Sequence, residues 1–278
     1  KIFDYPTTYW RCITTSPARG SWNMALDEAL LESVSRGDEP PVLRLYAWKP
    51  GCVSLGQAQS IGDINLPRCH EMGWDVVRRP TGGRAVLHID ELTYSVIAPK
   101  HEPRVQGSII ESYRRLSLAL LKALHLLGLD ATADKEYDLP IGSQKNAAVC
   151  FEVPSNYEIT VQGKKLIGSA QARKHQGVLQ HGSLPLYGDI TRIIEVMQFN
   201  TTQQIEQAKK KLLEHATTVE SIMGVRFPID TAAEAFKDAF FSILNIQFID
   251  TNPTQEELIR AYELENEKYA NDAWNKRK

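Results

Sequence analysis

Three segments of the chain carry side chains suited to chemistry. The first runs from Arg78 to His88 and centres on Arg78-Arg79-Pro80-Thr81-Gly82-Gly83-Arg84. Two adjacent glycines following a strand can adopt positive φ and turn backbone N–H groups inward. With three arginines around them, such a loop suits a carboxylate, a phosphate, or a carbonyl oxygen that becomes negative during reaction. The same composition also describes a surface turn with solvated arginines. It matches neither the G-x-x-x-x-G-K-S/T phosphate loop nor G-x-G-x-x-G.

The second segment, Gly163 to Gln171, brings Lys165 into an apolar strand. Burying an ammonium is costly unless it is paired or neutralised. Gly168-Ser169-Ala170 leaves room for a ligand or another chain to approach. Taken alone, the segment reads equally as a hairpin with Lys164 and Lys165 in water. The third segment, Ala148 to Pro154, holds Cys150. A lone cysteine in an apolar run is most often a packing residue. A nucleophilic thiolate there requires a nearby cation or base, and Lys165 on the neighbouring hairpin is the candidate.

Other reactive side chains lack such surroundings. Cys12, Cys52 and Cys69 read as packing residues. Cys69, His70 and Glu71 are consecutive in a helical stretch, so they face different ways. His175 and His181 have no carboxylate company in sequence, so no metal site is expected. Ser169 and Ser183 lack a G-x-S-x-G elbow.

These residues need a scaffold. A helix over Ser21 to Ser33, with Ser21 as its cap, places Trp22, Leu26, Ala29 and Leu30 on one face. Val42 to Trp48 alternates as a strand, with Arg44 and Tyr46 opposite Leu43 and Leu45. Cys52 to Leu55, Trp74 to Arg78 and Leu92 to Ala98 are further strands. Ser108 and Glu111 form a capping box for a long helix that ends at Gly128. Asp130 to Ala147 reads as loop. Tyr157 to Val161 and Lys165 to Ala172 form a hairpin about Gln162-Gly163. Val178 to Leu186 is a strand broken by Gly182. Beyond Asp189 the pattern turns helical, with helices over Gln203 to His215 and Ala232 to Leu244. A last helix runs to about Tyr269, capped by Thr254 and Glu257. The expected fold class is α+β: a mixed-sheet core flanked by helices over residues 1–190, with a helical C-terminal extension over 191–278 packed on it.

Composition sets outer bounds. The chain has 278 residues, 42% hydrophobic and 24% charged, which is enough for one large domain or a domain with an appendage. A net charge of -2 gives no bulk attraction to nucleic acid. Sparse, scattered cysteines fit a reducing compartment. There is no apolar run of signal-peptide or membrane-spanning length, so a cytoplasmic location is expected.

Taken in order, these segments resemble the biotin/lipoate A/B protein ligase family. The resemblance rests on Arg78 to Arg84 with His88, on Lys165-Leu166-Ile167-Gly168-Ser169-Ala170, and on His181-Gly182-Ser183-Leu184. The helix containing Asn23 to Glu28 and the end, Tyr269 to Asn275, fit as well. It implies a class II biotin/lipoate ligase-like catalytic domain. Lipoate ligases of this family activate a free acid with ATP. Octanoyltransferases instead take an acyl group from acyl carrier protein and hold it on a cysteine. One octanoyltransferase branch places that cysteine just before the His-Gly pair; Gly177-Val178-Leu179-Gln180-His181-Gly182 has none. Val149 to Ser155 resembles the other branch, which is ligase-like overall but carries its cysteine in this earlier loop.

The implied activity is octanoyl-[acyl carrier protein]:protein N-octanoyltransfer. Cys150 would be the nucleophile and Lys165 its proton partner. Arg79, Thr81, Gly82, Gly83, Arg84, His88, Gly168, Ser169, Ala170, His181 and Gly182 would bind substrate. The implied donor is octanoyl-acyl carrier protein. The implied acceptor is a lipoyl-domain protein, either the glycine-cleavage H protein or a dehydrogenase E2 subunit, and no cofactor is needed. The alternatives are an ATP-dependent lipoate ligase, an amidotransferase between lipoyl proteins, and a non-catalytic lipoyl-domain binder. The Arg-Pro-Thr-Gly-Gly-Arg loop and the His-Gly pair count against the amidotransferase.

Overall fold

The computed structural model describes residues 5–133 and 158–277. Cys150 and the whole Ala148 to Pro154 segment lie outside the described residues, as does Tyr157 at the start of the expected hairpin. The elements are β1 (Thr8–Thr14), α1 (Gly20–Arg36), β2 (Val42–Tyr46), β3 (Cys52–Leu55), α2 (Leu66–Glu71), β4 (Asp75–Arg78), β5 (Val86–His88), β6 (Glu91–Pro99), α3 (Ile109–Leu126), β7 (Ala131–Ala133), β8 (Ile159–Val161), β9 (Lys164–Lys174), β10 (Gly177–Pro185), α4 (Thr202–His215), α5 (Val219–Met223), α6 (Ile229–Leu244), β11 (Ile246–Asp250), α7 (Gln255–Leu264) and α8 (Asp272–Asn275).

Among these residues one sheet has eight strands in the order β11-β1-β2-β6-β10-β9-β8-β7, and a small one runs β4-β3-β5. The large sheet is mixed. β1 is parallel to β11 and β2, whereas β2–β6, β6–β10 and β10–β9 are antiparallel. This is the α+β class that the sequence leads one to expect.

Both faces of the large sheet are covered, and the two-residue period of its strands assigns the side chains. Leu43, Leu45, Tyr94 and Val96 pack under α3 and α6, with Leu116, Leu120, Phe236 and Phe240. Val42, Tyr46, Ile97 and Leu179 pack under α1 and α7, with Met24, Leu26, Leu30 and Leu264. The small sheet closes over a third cluster with Val53, Leu55, Cys69, Ile193 and Leu212.

Several local expectations are corrected. Ser21 does not cap α1: Arg19 is the N-cap residue and its side chain makes no capping bond to the helix, while Ser21 Oγ donates to Glu265 at 2.6 Å. Gly182 does not break β10, which pairs without interruption with β6 and β9. The loop expected from Asp130 begins with a strand, because Ala131–Ala133 pairs with β8. The stretch after residue 190 also contributes a strand, β11, at the edge of the large sheet. Both capping boxes, Ser108 with Glu111 and Thr254 with Glu257, are present. No described helix is long and apolar enough to cross a membrane.

Candidate active site

The Arg78 to Arg84 loop leaves the small sheet at the end of β4. Arg78 is fully buried, and its donors are spent on main-chain oxygens. Nε reaches Trp274 O at 3.2 Å, Nη1 reaches Gly56 O and Gln59 O at 2.9 and 2.6 Å, and Nη2 reaches Asn275 O and Arg277 O at 3.0 and 2.9 Å. The backbone of Arg78 answers in turn: its N–H donates to Asn275 Oδ1 and its carbonyl accepts from Trp274 Nε1, each at 2.8 Å. Arg78 is therefore a clamp between the loop root and the C-terminal helix α8.

Arg79, also buried, holds the loop itself. Nη2 donates to Gly82 O and Arg84 O at 2.8 Å each, and Nη1 donates to Ser54 O and Oγ at 2.9 and 3.0 Å. Gly82 and Gly83 at the tip are exposed, and Gly83 has φ of 95°. A side chain at Gly56 would collide with Gly83 O, so that glycine permits the close approach.

Two buried lines of polar side chains end on this loop. In the first, Asp27 on α1 accepts from Arg44 Nη1 at 2.7 Å, Tyr46 OH at 2.9 Å and Ser95 Oγ at 2.7 Å. Its Oδ2 faces His181 Nδ1 at 3.6 Å, and His181 Nε2 bonds Thr81 Oγ1 at 2.7 Å. Burial alone would raise the pKa of Asp27, but the Arg44 guanidinium, with help from His181 and Ser95, holds it below the usual carboxylate value. Burial pushes His181 below the usual imidazole value. Asp27 opposes that shift, while Arg79 and His88 reinforce it.

In the second line, Glu91 Oε1 is bonded by His88 Nδ1 at 2.7 Å, Thr93 Oγ1 at 2.5 Å and Ser183 Oγ at 3.0 Å. His88 Nε2 bonds Ser54 Oγ at 2.7 Å, and Ser54 accepts from Arg79. The ring of Trp48 stacks on His88 with centroids 4.0 Å apart, fixing its plane.

The remaining predicted residues lie along β9 and β10. Gly168, Ser169 and Ala170 pair with Ser183, Gly182 and His181 respectively. Gly182 is required by crowding, since a Cβ there would meet the Tyr94 ring and Gly168 O within 2.7 Å. Ser169 Oγ and Tyr94 OH share a 2.6 Å hydrogen bond. Gly168 to Ala170 stay half-exposed although their strand is interior to the sheet. Lys165 is buried at the start of β9, and its Nζ bonds Glu158 Oε1 at 2.5 Å. Its ammonium is thus paired, which meets the condition for burying it.

The structure joins Thr81 directly to His181, and links His88 to Arg79 through Ser54. It places Gly168 to Ala170 beside the His181-Gly182 pair. Arg84 is half-buried, and its carbonyl is held by Arg79. Sequence reasoning missed Asp27, Glu91, Ser54, Arg44 and Glu158. One signal was available: Asn23 and Asp27 are four apart on α1, so they share a face, and Arg44 bonds both.

The three described cysteines are poor nucleophiles. Burial pushes the thiols of Cys12 and Cys69 up to about 11, and that of Cys52 well above its ordinary value.

Comparison with known proteins places the chain in a family. Residues 19–241 match the lipoyl protein ligase A/B catalytic domain. The chain is 41% identical to octanoyltransferase LipM of Lysinibacillus sphaericus, over 98% of this chain and 100% of the relative. It is 39% identical to octanoyltransferase LipM of Bacillus subtilis, over 96% and 97%. Its fold superposes on that of a bipartite archaeal lipoate protein ligase from Thermoplasma acidophilum with a TM-score of 0.81 and 25% identity, covering 98% of each chain. The resemblance carried by the arginine-glycine loop, Lys165 and the His181-Gly182 pair is therefore a true kinship: the chain belongs to the lipoyl protein ligase A/B catalytic domain family.

Proposed function

We propose that the chain is an octanoyltransferase of protein lipoylation. It takes an octanoyl group from acyl carrier protein onto Cys150 as a thioester and passes it to a lysine of a lipoyl domain. The carrying observation is the 41% identity, across essentially both whole chains, to a relative named octanoyltransferase. The state of the thiols supports it: the three described cysteines are buried and protonated, which leaves Cys150 for the chemistry.

The reaction runs in two exchanges. The Cys150 thiolate attacks the donor carbonyl, the C–S bond to the carrier breaks, and the carrier thiol leaves with a proton. This step trades one thioester for another. The acceptor amine then attacks the Cys150 thioester, an amide forms, and the cysteine sulfur departs. The donor is already activated, so the chemistry needs no ATP. Lys165, held by Glu158, is assigned as the cation that favours the thiolate and then exchanges the proton. Gly82, Gly83 and Arg84 are assigned to the reacting carbonyl, and Gly168, Ser169 and Ala170 to the wall beside the acyl chain. Each buried CH₂ contributes about 0.8 kcal/mol, so an apolar slot can measure chain length. The glycine-cleavage H protein and dehydrogenase E2 subunits are the proposed acceptors.

Intact-mass measurement after incubation with octanoyl-acyl carrier protein tests this reading. The expected result is an adduct of octanoyl size that hydroxylamine removes and Cys150→Ser lacks. Full transfer activity in Cys150→Ala would overturn it. Lipoyl-adenylate formation from ATP and lipoate in the same variant would mark a ligase instead.

A further inference from the structure

We propose that Asp27 and Glu91 are positioning residues for acyl transfer, each orienting one histidine, His181 or His88, that holds the Gly82–Gly83 loop. The inference rests on the transferase reading above and assigns work to two carboxylates that no part of that mechanism uses.

The loop tip cannot hold its own shape. Gly82 has nothing within 4 Å of where a side chain would begin, and both glycines are exposed. Its geometry comes from tethers on either side. The Thr81 hydroxyl is bound to His181, and the carbonyls of Gly82 and Arg84 are bound to Arg79. Thr81 O also accepts from Gln57 N at 2.8 Å. Both side-chain tethers lead back through a histidine to a buried carboxylate.

A carboxylate only accepts hydrogen bonds, and this sets the direction of the protons along the Glu91 line. Glu91 Oε1 lies 2.7 Å from His88 Nδ1, so that nitrogen carries the proton. His88 Nε2 then accepts from the Ser54 hydroxyl, and Ser54 keeps lone pairs for Arg79 Nη1. In the other line Asp27 Oδ2 lies 3.6 Å from Nδ1 of His181, beyond hydrogen-bond reach, so its negative charge, rather than a direct bond, favours the proton on Nδ1 and leaves Nε2 to accept from Thr81. An amide in place of either carboxylate could donate as well as accept. The histidine could then turn over its tautomer, and the hydroxyl beyond it would lose its fixed direction. Asp27 also neutralises buried Arg44, whereas Glu91 is bonded by two hydroxyls and an imidazole. Glu91 is therefore the cleaner site for substitution.

The test compares Glu91→Gln, Thr81→Val and Thr81→Ser with the wild-type chain. Three quantities are read: the single-turnover rate of Cys150 acylation, the KM for octanoyl-acyl carrier protein, and the histidine tautomers by ¹⁵N NMR. Misplacement of a reacting group by an ångström costs up to about 100-fold. Glu91→Gln and Thr81→Val are each expected to slow acylation roughly 10- to 100-fold. The donor KM should move less than about threefold, and Thr81→Ser should recover most of the lost rate. His88 and His181 should be Nδ1–H tautomers in the wild type, with His88 becoming mixed in Glu91→Gln. Wild-type acylation rates in both Glu91→Gln and Thr81→Val, or Nε2–H tautomers in the wild type, overturn the inference. If the wild type takes up no acyl group, the transferase reading fails, and the tautomer measurement still decides whether the carboxylates orient the histidines.

Discussion

Burial disfavours the doubly protonated, charged form of the His181 ring, and this makes stability depend on pH. In the unfolded chain an imidazole titrates near ~6.5. In the folded chain burial depresses that value. As pH falls through ~6.5 the unfolded state gains a proton that the folded state refuses. The stability contributed by the neutral ring is complete above that pH and is lost below it, at up to about 1.4 kcal/mol per pH unit, until the folded value is reached. Urea denaturation at pH 7.5 and at pH 5.5 should show a smaller drop in His181→Gln than in the wild type, the difference being at most about 1.4 kcal/mol. Equal drops in the two proteins would show that the ring is not held neutral. Thiol reactivity belongs to the same scale. With Cys12, Cys52 and Cys69 buried and their thiols held above the ordinary value, alkylation at pH 7.5 should find one fast thiol, absent in Cys150→Ser. A fast thiol remaining in that variant would remove the support the cysteines give to the mechanism.

Arg78 shows how one element end can hold another. Its guanidinium joins the loop root at β4 to Gly56 and Gln59 on one side and to Trp274, Asn275 and Arg277 on the other. Arg78→Met would leave those carbonyls without donors and should cost on the order of 3 kcal/mol, read as a lower urea midpoint with an unchanged slope. A loss under about 0.5 kcal/mol would mean that water replaces the guanidinium. The capping boxes and the alternation of β2 were legible in the sequence because both are local: a hydroxyl three residues before a glutamate, and a two-residue period. What lies opposite an element is not local. The alternation put Arg44 and Tyr46 on one side of β2 but could not reveal that α1 covers that side and brings Asp27 to within 2.7 Å of Arg44. Gly182 misled for the same reason. Its missing side chain reads as a strand break until Tyr94 is seen to occupy the space. The loop and Lys165 stood out by residue type and the His-Gly pair through family resemblance, whereas the carboxylates behind them needed the fold.

At the scale of the whole molecule, the division at residue 190 concerns whether the first part can stand without the second. We read 191–278 as a cover that the core requires. Phe236, Phe240 and Leu244 on α6 belong to the same buried cluster as Tyr94 and Leu120, and β11 extends the sheet beside β1. On the opposite face Ala261, Leu264 and Tyr269 share a cluster with Met24 and Leu30. Glu257 on α7 receives both Nη atoms of buried Arg11, at 2.9 and 2.6 Å. Loss of one buried phenylalanine typically costs about 3–5 kcal/mol, and a whole domain is stable by only about 5–15 kcal/mol. Removing α6 alone takes away two. A chain ending at residue 190 should therefore lack a cooperative thermal transition and should bind a hydrophobic dye, while the full chain unfolds in one step by both near- and far-ultraviolet circular dichroism. A shortened chain that melts cooperatively with native near-ultraviolet signal would establish an independent core. The C-terminal residues would then matter only through the Arg78 clamp, and their removal would loosen the glycine loop without unfolding the sheet beneath it.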